Sequence, residues 1–200
     1  MKKVAKFSKV SFEQFKKDFN KMIDGVSSDV YWYPRKDIIE VISEQNVPDS
    51  EHYEFTDEGI RSFYNSIELP KRATVGSAGH DFYLPFNITI PSKCALTIPT
   101  GIRCEFLNDD YVLNIYPRSG LGFKYGIKLK NTVGIIDSDY YYSDNEGHIM
   151  VKLHNPEEER NTFELNSGQA FCQGIFLPYG VADEEEVTNV RNGGFGSTSK

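Results

Sequence analysis

Two hundred residues suit one domain with an appendage or two small domains, and a hydrophobic share of 39% is enough for a real core. A formal charge of −7 argues against duplex DNA or RNA as a partner, since a polyphosphate backbone needs a basic footprint, while leaving room for a small anion held by a few local cations. No run is apolar enough for a membrane span or for a signal peptide behind the basic N-terminus, and Cys94, Cys104 and Cys172, without CxxC spacing, predict reduced core thiols of a cytoplasmic protein.

In chain order, residues 10–25 predict an amphipathic helix. Ser11 and Gln14 fit a capping box, Val10 and Phe15 a hydrophobic staple, and Gly25 a stop. Phe12, Phe15, Phe19, Met22 and Ile23 recur at helical spacing, so this face must bury against a body or a partner. Tyr31-Trp32-Tyr33-Pro34-Arg35-Lys36 reads as aromatic anchors that dock an appendage, and Ile38, Ile39 and Ile42 permit a short helix. Thr56 caps a further helix to about Ser66, with Phe55 and Ile60 as its staple. From Ile67 the texture changes to short apolar alternations separated by Pro, Gly, Asn or Asp. They centre on Ile88/Ile90, Leu96/Ile98, Ile102/Cys104/Phe106, Tyr111/Leu113/Ile115, Ile149/Val151/Leu153 and residues 171–177. That pattern predicts an all-β sandwich or jelly roll preceded by a helical extension. The acidic runs Glu157–Glu159 and Asp183–Glu186 read as solvated loops, and the Gly/Ser-rich tail as flexible.

Residues 117–140 concentrate the chemistry. Arg118 offers a planar fork of donors for phosphate oxygens, Ser119 a hydroxyl, and Gly120 room for an oxyanion near the backbone. Asn131 to Gly134 reads as a turn or hairpin entry because Asn and Gly tolerate unusual dihedrals. Ile135-Ile136 reads as buried strand, and Asp137 follows at once. A carboxylate there is half-desolvated, which suits a general base; the same spacing also serves an Asp that only closes a turn. Gly120-Leu-Gly122-Phe-Lys-Tyr-Gly126 is one residue too long for a dinucleotide fingerprint and opens no clear helix. The four histidines show no ligand spacing and read as surface or hydrogen-bonded residues.

Five segments in order resemble the signature motifs of the trimeric dUTP diphosphatase (dUTPase) family. They are Gly76-Ser-Ala-Gly-His-Asp81-Phe-Tyr83, the two motifs within residues 117–140, Gly168-Gln-Ala-Phe-Cys-Gln173-Gly-Ile-Phe176 and Arg191-Asn-Gly-Gly-Phe195-Gly-Ser-Thr198. The resemblance covers residues 67–200. It implies a distorted jelly roll over 67–190 and a lid motif over 191–200; the helical extension over 1–66 lies outside it and is open to binding a protein partner. It further implies hydrolysis of dUTP to dUMP and pyrophosphate, which limits uracil in DNA and supplies dUMP, in a homotrimer with shared sites. By similarity, Asp137 is the base that activates water. Arg118, Ser119, Gly120 and Gln173 hold phosphates, assisted by Arg191, Gly194, Gly196, Ser197 and Thr198. Asn131, Gly134, Ile136 and the hairpin to Tyr140 read uracil and deoxyribose, and Phe195 caps the base. Asp81 meets Mg2+ through water, since magnesium keeps much of its hydration shell.

The chain departs from the family's pattern in four places. His80 stands where an apolar residue or Tyr is usual. The loop after Tyr140 runs several residues long to Gly147. Arg191 is one residue closer to Phe195 than usual, and the tail ends in Ser199-Lys200. The related dCTP deaminases share the fold but need a Glu near Lys152, where the run 149–153 has none. A regulatory binding protein on the same fold is the alternative from another class.

Overall fold

The structure is a computed structural model that describes residues 2–24, 56–156, 162–183, 188–189, 191 and 193. The expected aromatic anchors at 31–36, the short helix near Ile38–Ile42, Phe55, most of the acidic runs and the tail residues 194–200 lie outside the described residues.

The chain opens with a strand that the sequence reading missed. β1 (Ala5–Lys9) pairs antiparallel with β6 (Ile102–Phe106), Phe7 lying opposite Cys104. Lysines at positions 6 and 9 conceal its alternation, and only the neighbouring strand makes it a β-strand. Phe7 then packs on Phe82, Phe176 and His80 at centroid distances of 5.6–5.8 Å. His80 thereby serves as a core ring where an apolar residue is usual, and burial holds its pKa below the ordinary histidine value.

The helix α1 (Phe12–Asp24) forms as expected, with Phe12, Phe15, Phe19 and Met22 buried. Ser11 Oγ accepts the Gln14 N–H at 3.1 Å, which is half of the expected capping box. The reciprocal half differs. Gln14 turns its side chain to Asp18 (2.6 Å), and the Ser11 N–H instead donates to Glu146 (2.7 Å), with a second bond from Ser11 Oγ to the same carboxylate (2.6 Å). The helix α2 (Asp57–Ser66) is capped by Thr56, whose hydroxyl accepts the Gly59 N–H at 3.2 Å. Both helices share one core with the β elements: Phe19 meets Phe63 of α2 and Phe86 of the β region at 5.7 and 5.4 Å.

The alternating segments all form strands: β4 (Ile88–Ile90), β5 (Ala95–Pro99), β6, β7 (Tyr111–Pro117), β10 (Met150–His154) and β12 (Ala170–Pro178). Four more strands, β2 (Lys71–Arg72), β3 (His80–Tyr83), β8 (Lys128–Leu129) and β11 (Phe163–Leu165), are two to four residues long; β2 and β8 are too short to show a period of two, whereas the Phe163/Leu165 alternation was an available signal for β11. With β9 (Gly134–Ile136), the strands assemble into a five-stranded sheet β2-β3-β12-β7-β9, a three-stranded sheet β5-β10-β8, and the pairs β11-β4 and β1-β6. Where the glycine-rich stretch promised no helix, α3 (Ser119–Tyr125) makes seven residues of helix. Its glycines weaken intrinsic propensity, but burial of Leu121 and the stop at Gly126, whose N–H reaches Gly122 O at 3.1 Å, outweigh that cost.

A buried polar network joins α1 to the loop before β10. His148 Nε2 accepts the Gly101 N–H at 2.8 Å, so the ring proton sits on Nδ1 and is donated to Asp18 at 2.7 Å. Burial raises the Asp18 carboxyl, but the hydrogen bonds from His148 and Gln14 together outweigh it and hold the pKa below 3.8. Burial likewise raises Glu146, and its bonds from Ser11 bring it below 4.5. A depressed folded pKa gives stability that is complete above the unfolded value and lost as pH falls through the folded one. Unfolding midpoints in urea are therefore expected to hold steady down to about pH 4.5 and to decline below it as these carboxyls protonate. Asp18→Asn removes part of that decline; an unchanged acid limb in this variant would exclude the Asp18 contribution.

Candidate active site

The turn from β8 into β9 sets up a cleft. The positive φ expected of Asn131 or Gly134 falls on Thr132 instead (φ 69°), a costly conformation for a β-branched residue. Gly134 matters for a different reason: it faces Ile115 of β7, and a Cβ there would lie a tight 3.1 Å from the Ile115 Cβ. The Ile135-Ile136 pair is only half buried. Ile136 points inward and Ile135 is 56% exposed, because successive strand residues face opposite sides.

No closed hairpin runs from Gly134 to Tyr140. β9 pairs with β7, Asp137 continues in extended backbone, and residues Ser138–Tyr142 coil into a 3-10 turn. This places Asn131, Gly134, Ile136 and Tyr140 around one cleft of about 440 Å3 between β8, β9 and β10. That volume suits a nucleoside. The reading from sequence missed Met150 and Lys152, which line the opposite wall; their exposed side of the β10 alternation was the available signal. Tyr140 is 5% exposed. Its hydroxyl donates to His148 O at 2.7 Å and accepts from Asn145 Nδ2 at 2.8 Å, and burial pushes its pKa up.

Asp137 stands beside this cleft with its side chain 45% exposed. Arg191, which also lines the cleft, pairs with Asp137 through Nη2 and donates from Nε to Asp139 at 2.8 Å. Gly194, Phe195, Gly196, Ser197 and Thr198 lie outside the described residues.

The other predicted residues gather elsewhere. Strand register puts Asp81 and Tyr116 opposite Gln173 on the two sides of β12, so all three share a face. Arg118, just past the end of β7, donates to the buried Asp81 at 2.6 Å while remaining 38% exposed. Gln173 donates to Pro117 O at 3.3 Å and packs on Gly79, where a Cβ would overlap its amide. Ser119 and Gly120 are exposed at the start of α3, and open space surrounds Gly120. Among the described residues no three His, Cys, Asp or Glu side chains converge as metal ligands.

These two clusters do not meet within one chain. Leu113 faces Ile136, so Asp137 falls beside Val112, whereas Arg118 follows Pro117 at the opposite end of β7. Six residues at ~3.3 Å each separate them by roughly 20 Å.

A β-sheet core with a nucleoside-sized cleft, an adjacent acid and a separate arginine-glutamine cluster has the parts that nucleotide chemistry needs. The dUTPase family model matches residues 65–199. A deoxyuridine 5'-triphosphate nucleotidohydrolase of Lactococcus lactis subsp. lactis (strain IL1403) is 39% identical over 135 residues, covering 66% of this chain and 88% of that protein. The crystal structure of the Streptococcus mutans dUTPase aligns with a TM-score of 0.52 at 35% identity, over 57% of this chain and 88% of that one. A mutant dUTPase from phage phi11 of S. aureus, described as coordinating a structural Mg(II) ion, shares the fold with a TM-score of 0.51 at 17% identity, over 64% of this chain and 95% of that one. The chain belongs to the dUTPase family. Residues 1–64 fall outside the family match. No described helix is long and apolar enough to cross a membrane.

Proposed function

We propose that this chain hydrolyses dUTP at the α-phosphorus to dUMP and pyrophosphate, in a cytoplasmic homotrimer whose sites are shared between protomers. The observation that carries the reading is the separation along β7: Asp137 beside the nucleoside cleft at one end, Arg118 with Gln173 and Asp81 at the other. Both groups must reach one phosphate chain, so a second copy supplies the grip that the first copy's acid lacks.

In this reading uracil enters the cleft, where Asn131 and the backbone of residues 134–136 present fixed donors and acceptors to its edge. Cytosine reverses that pattern and leaves buried groups unpaired, and a thymine methyl clashes. Tyr140 lies under the deoxyribose and excludes a 2′-hydroxyl. Arg118, Ser119, Gly120 and Gln173 of a neighbour hold the triphosphate. Arg191 exchanges the Asp137 carboxylate for a phosphate oxygen, which frees Asp137 to orient a water and accept its proton. The water oxygen then bonds to the α-phosphorus, and the bond to the leaving pyrophosphate breaks. Gly194, Gly196, Ser197 and Thr198 wrap the terminal phosphate and Phe195 covers the base, closing the site to solvent.

Magnesium fits the donor set. One oxygen of the buried Asp81 is taken by Arg118 and the other can accept from a water, which suits a hydrated ion held mainly by phosphates rather than by a protein cage. When bound, Mg2+ supplies neutralisation of the triphosphate charge.

Pyrophosphate release from dUTP, dCTP, dTTP and UTP tests the reading; ammonia from dCTP would replace it with a deaminase. Shared sites are tested by mixing Asp137→Asn and Arg118→Ala chains during refolding. Each variant alone is expected to be inactive and the mixture to regain activity, whereas a silent mixture would mean that each site is complete within one chain.

A further inference from the structure

Two departures from the family meet in space: the extension ahead of the family match and the enlarged loop 141–147. Ser11, just before α1, gives two hydrogen bonds to Glu146 at 2.6 and 2.7 Å. Arg103 stacks on the Tyr141 ring at 3.6 Å and donates to Tyr141 O at 2.8 Å, fastening the loop's other end to β6. Glu146 and Gly147 both take positive φ, and a Cβ on Gly147 would lie 2.7 Å from the Tyr141 backbone, so the loop is tightly wound. Beneath it, Asp18 of α1 is 5% exposed and His148 fully buried, joined at 2.7 Å. The carbonyl of that same His148 accepts the Tyr140 hydroxyl at 2.7 Å, and Asn145 Nδ2 bridges both, at 2.8 Å to Tyr140 Oη and 3.2 Å to His148 O.

Two hydrogen bonds, joined through the side chain and backbone of His148, thus link α1 to the aromatic wall of the nucleoside cleft. We propose that Asp18 is a positioning residue for Tyr140, acting through His148, and that α1 thereby sets how strictly the cleft distinguishes deoxyribose from ribose. The physical argument is one of satisfaction. His148 holds its place because both ring nitrogens are bonded, one to Asp18 and one to the Gly101 N–H. Without the carboxylate, Nδ1–H is left unpaired in the core, and the ring and its backbone carbonyl shift to find a partner. Tyr140 follows that carbonyl, and a small displacement of the ring opens space where a 2′-hydroxyl is otherwise refused.

The inference rests on the proposed dUTP hydrolysis, and steady-state kinetics on dUTP and UTP separate the two. A parent enzyme that does not hydrolyse dUTP overturns the proposed function itself. Given an active parent, Asp18→Ala is expected to raise KM for dUTP and lower the dUTP-over-UTP preference in kcat/KM, each about tenfold, with kcat for dUTP nearly unchanged. Asp18→Asn, whose amide oxygen can still accept from His148, is expected to recover most of the preference. Should Asp18→Ala fail to fold, Tyr140→Phe, which keeps the ring and removes only its hydroxyl bond to His148 O, is read instead, with the same direction expected. Parental preference and KM in a folded Asp18→Ala protein, or in Tyr140→Phe where the first cannot be read, overturn the inference. So does a loss confined to kcat.

Discussion

Asp137→Asn is expected to lower kcat for dUTP by roughly 10²- to 10⁴-fold, the range that a positioned proton acceptor contributes, while affinity for a non-hydrolysable dUTP analogue stays within a few-fold. The amide keeps the shape of the carboxylate but cannot take a proton from water. It also weakens the ion pair with Arg191, which in the substrate-free chain holds that carboxylate. Affinity is therefore expected to be kept or slightly improved, because Arg191 leaves its resting partner more easily. Pyrophosphate release measures the first quantity and titration calorimetry the second. Turnover within tenfold of the parent would remove Asp137 from the role of base. Loss of binding along with turnover would make it a structural contact instead.

The second large effect is on stability and lies outside the family match. Phe19 of α1 is wholly buried, in ring contact with Phe15, Phe63 and Phe86 at 5.4–6.0 Å. Truncation to alanine removes contacts to α1, α2 and the β region at once, so Phe19→Ala is expected to cost about 3–5 kcal/mol, a large part of an ordinary domain's stability. Lys17→Ala, on the exposed face of the same helix, is the matched control and is expected to change little. Chemical denaturation of the pair decides. Equal midpoints would make α1 a detachable appendage; the expected gap makes it part of the core that supports the cleft.

Particular residues mark how far the sequence could be read. The strands with alternating apolar residues were legible because a period of two shows wherever it repeats; β2 and β8, at two residues each, cannot show one. The family was legible because five short motifs carry it in order, and the family model matches residues 65–199. Asp18 was not. It reads as one more polar residue on a helix, and its partner stands 130 positions away. The same holds for Glu146, which supplies the cap expected from Gln14. Thr132, rather than a neighbouring Asn or Gly, takes the left-handed conformation in the turn between β8 and β9, which pair with different strands.

By itself the sequence determined the family, where α1 and α2 begin, and which faces must be buried, since all of these depend on short motifs or on residues within a few positions of one another. Tertiary structure decided that residues 5–9 form a strand, that Asp18 of α1 meets His148, and that Asp137 and Arg118 stand at opposite ends of β7. These are relations between distant segments, created by strand pairing and by the demand that buried polar groups find partners, and neither force leaves a mark on a local stretch of sequence.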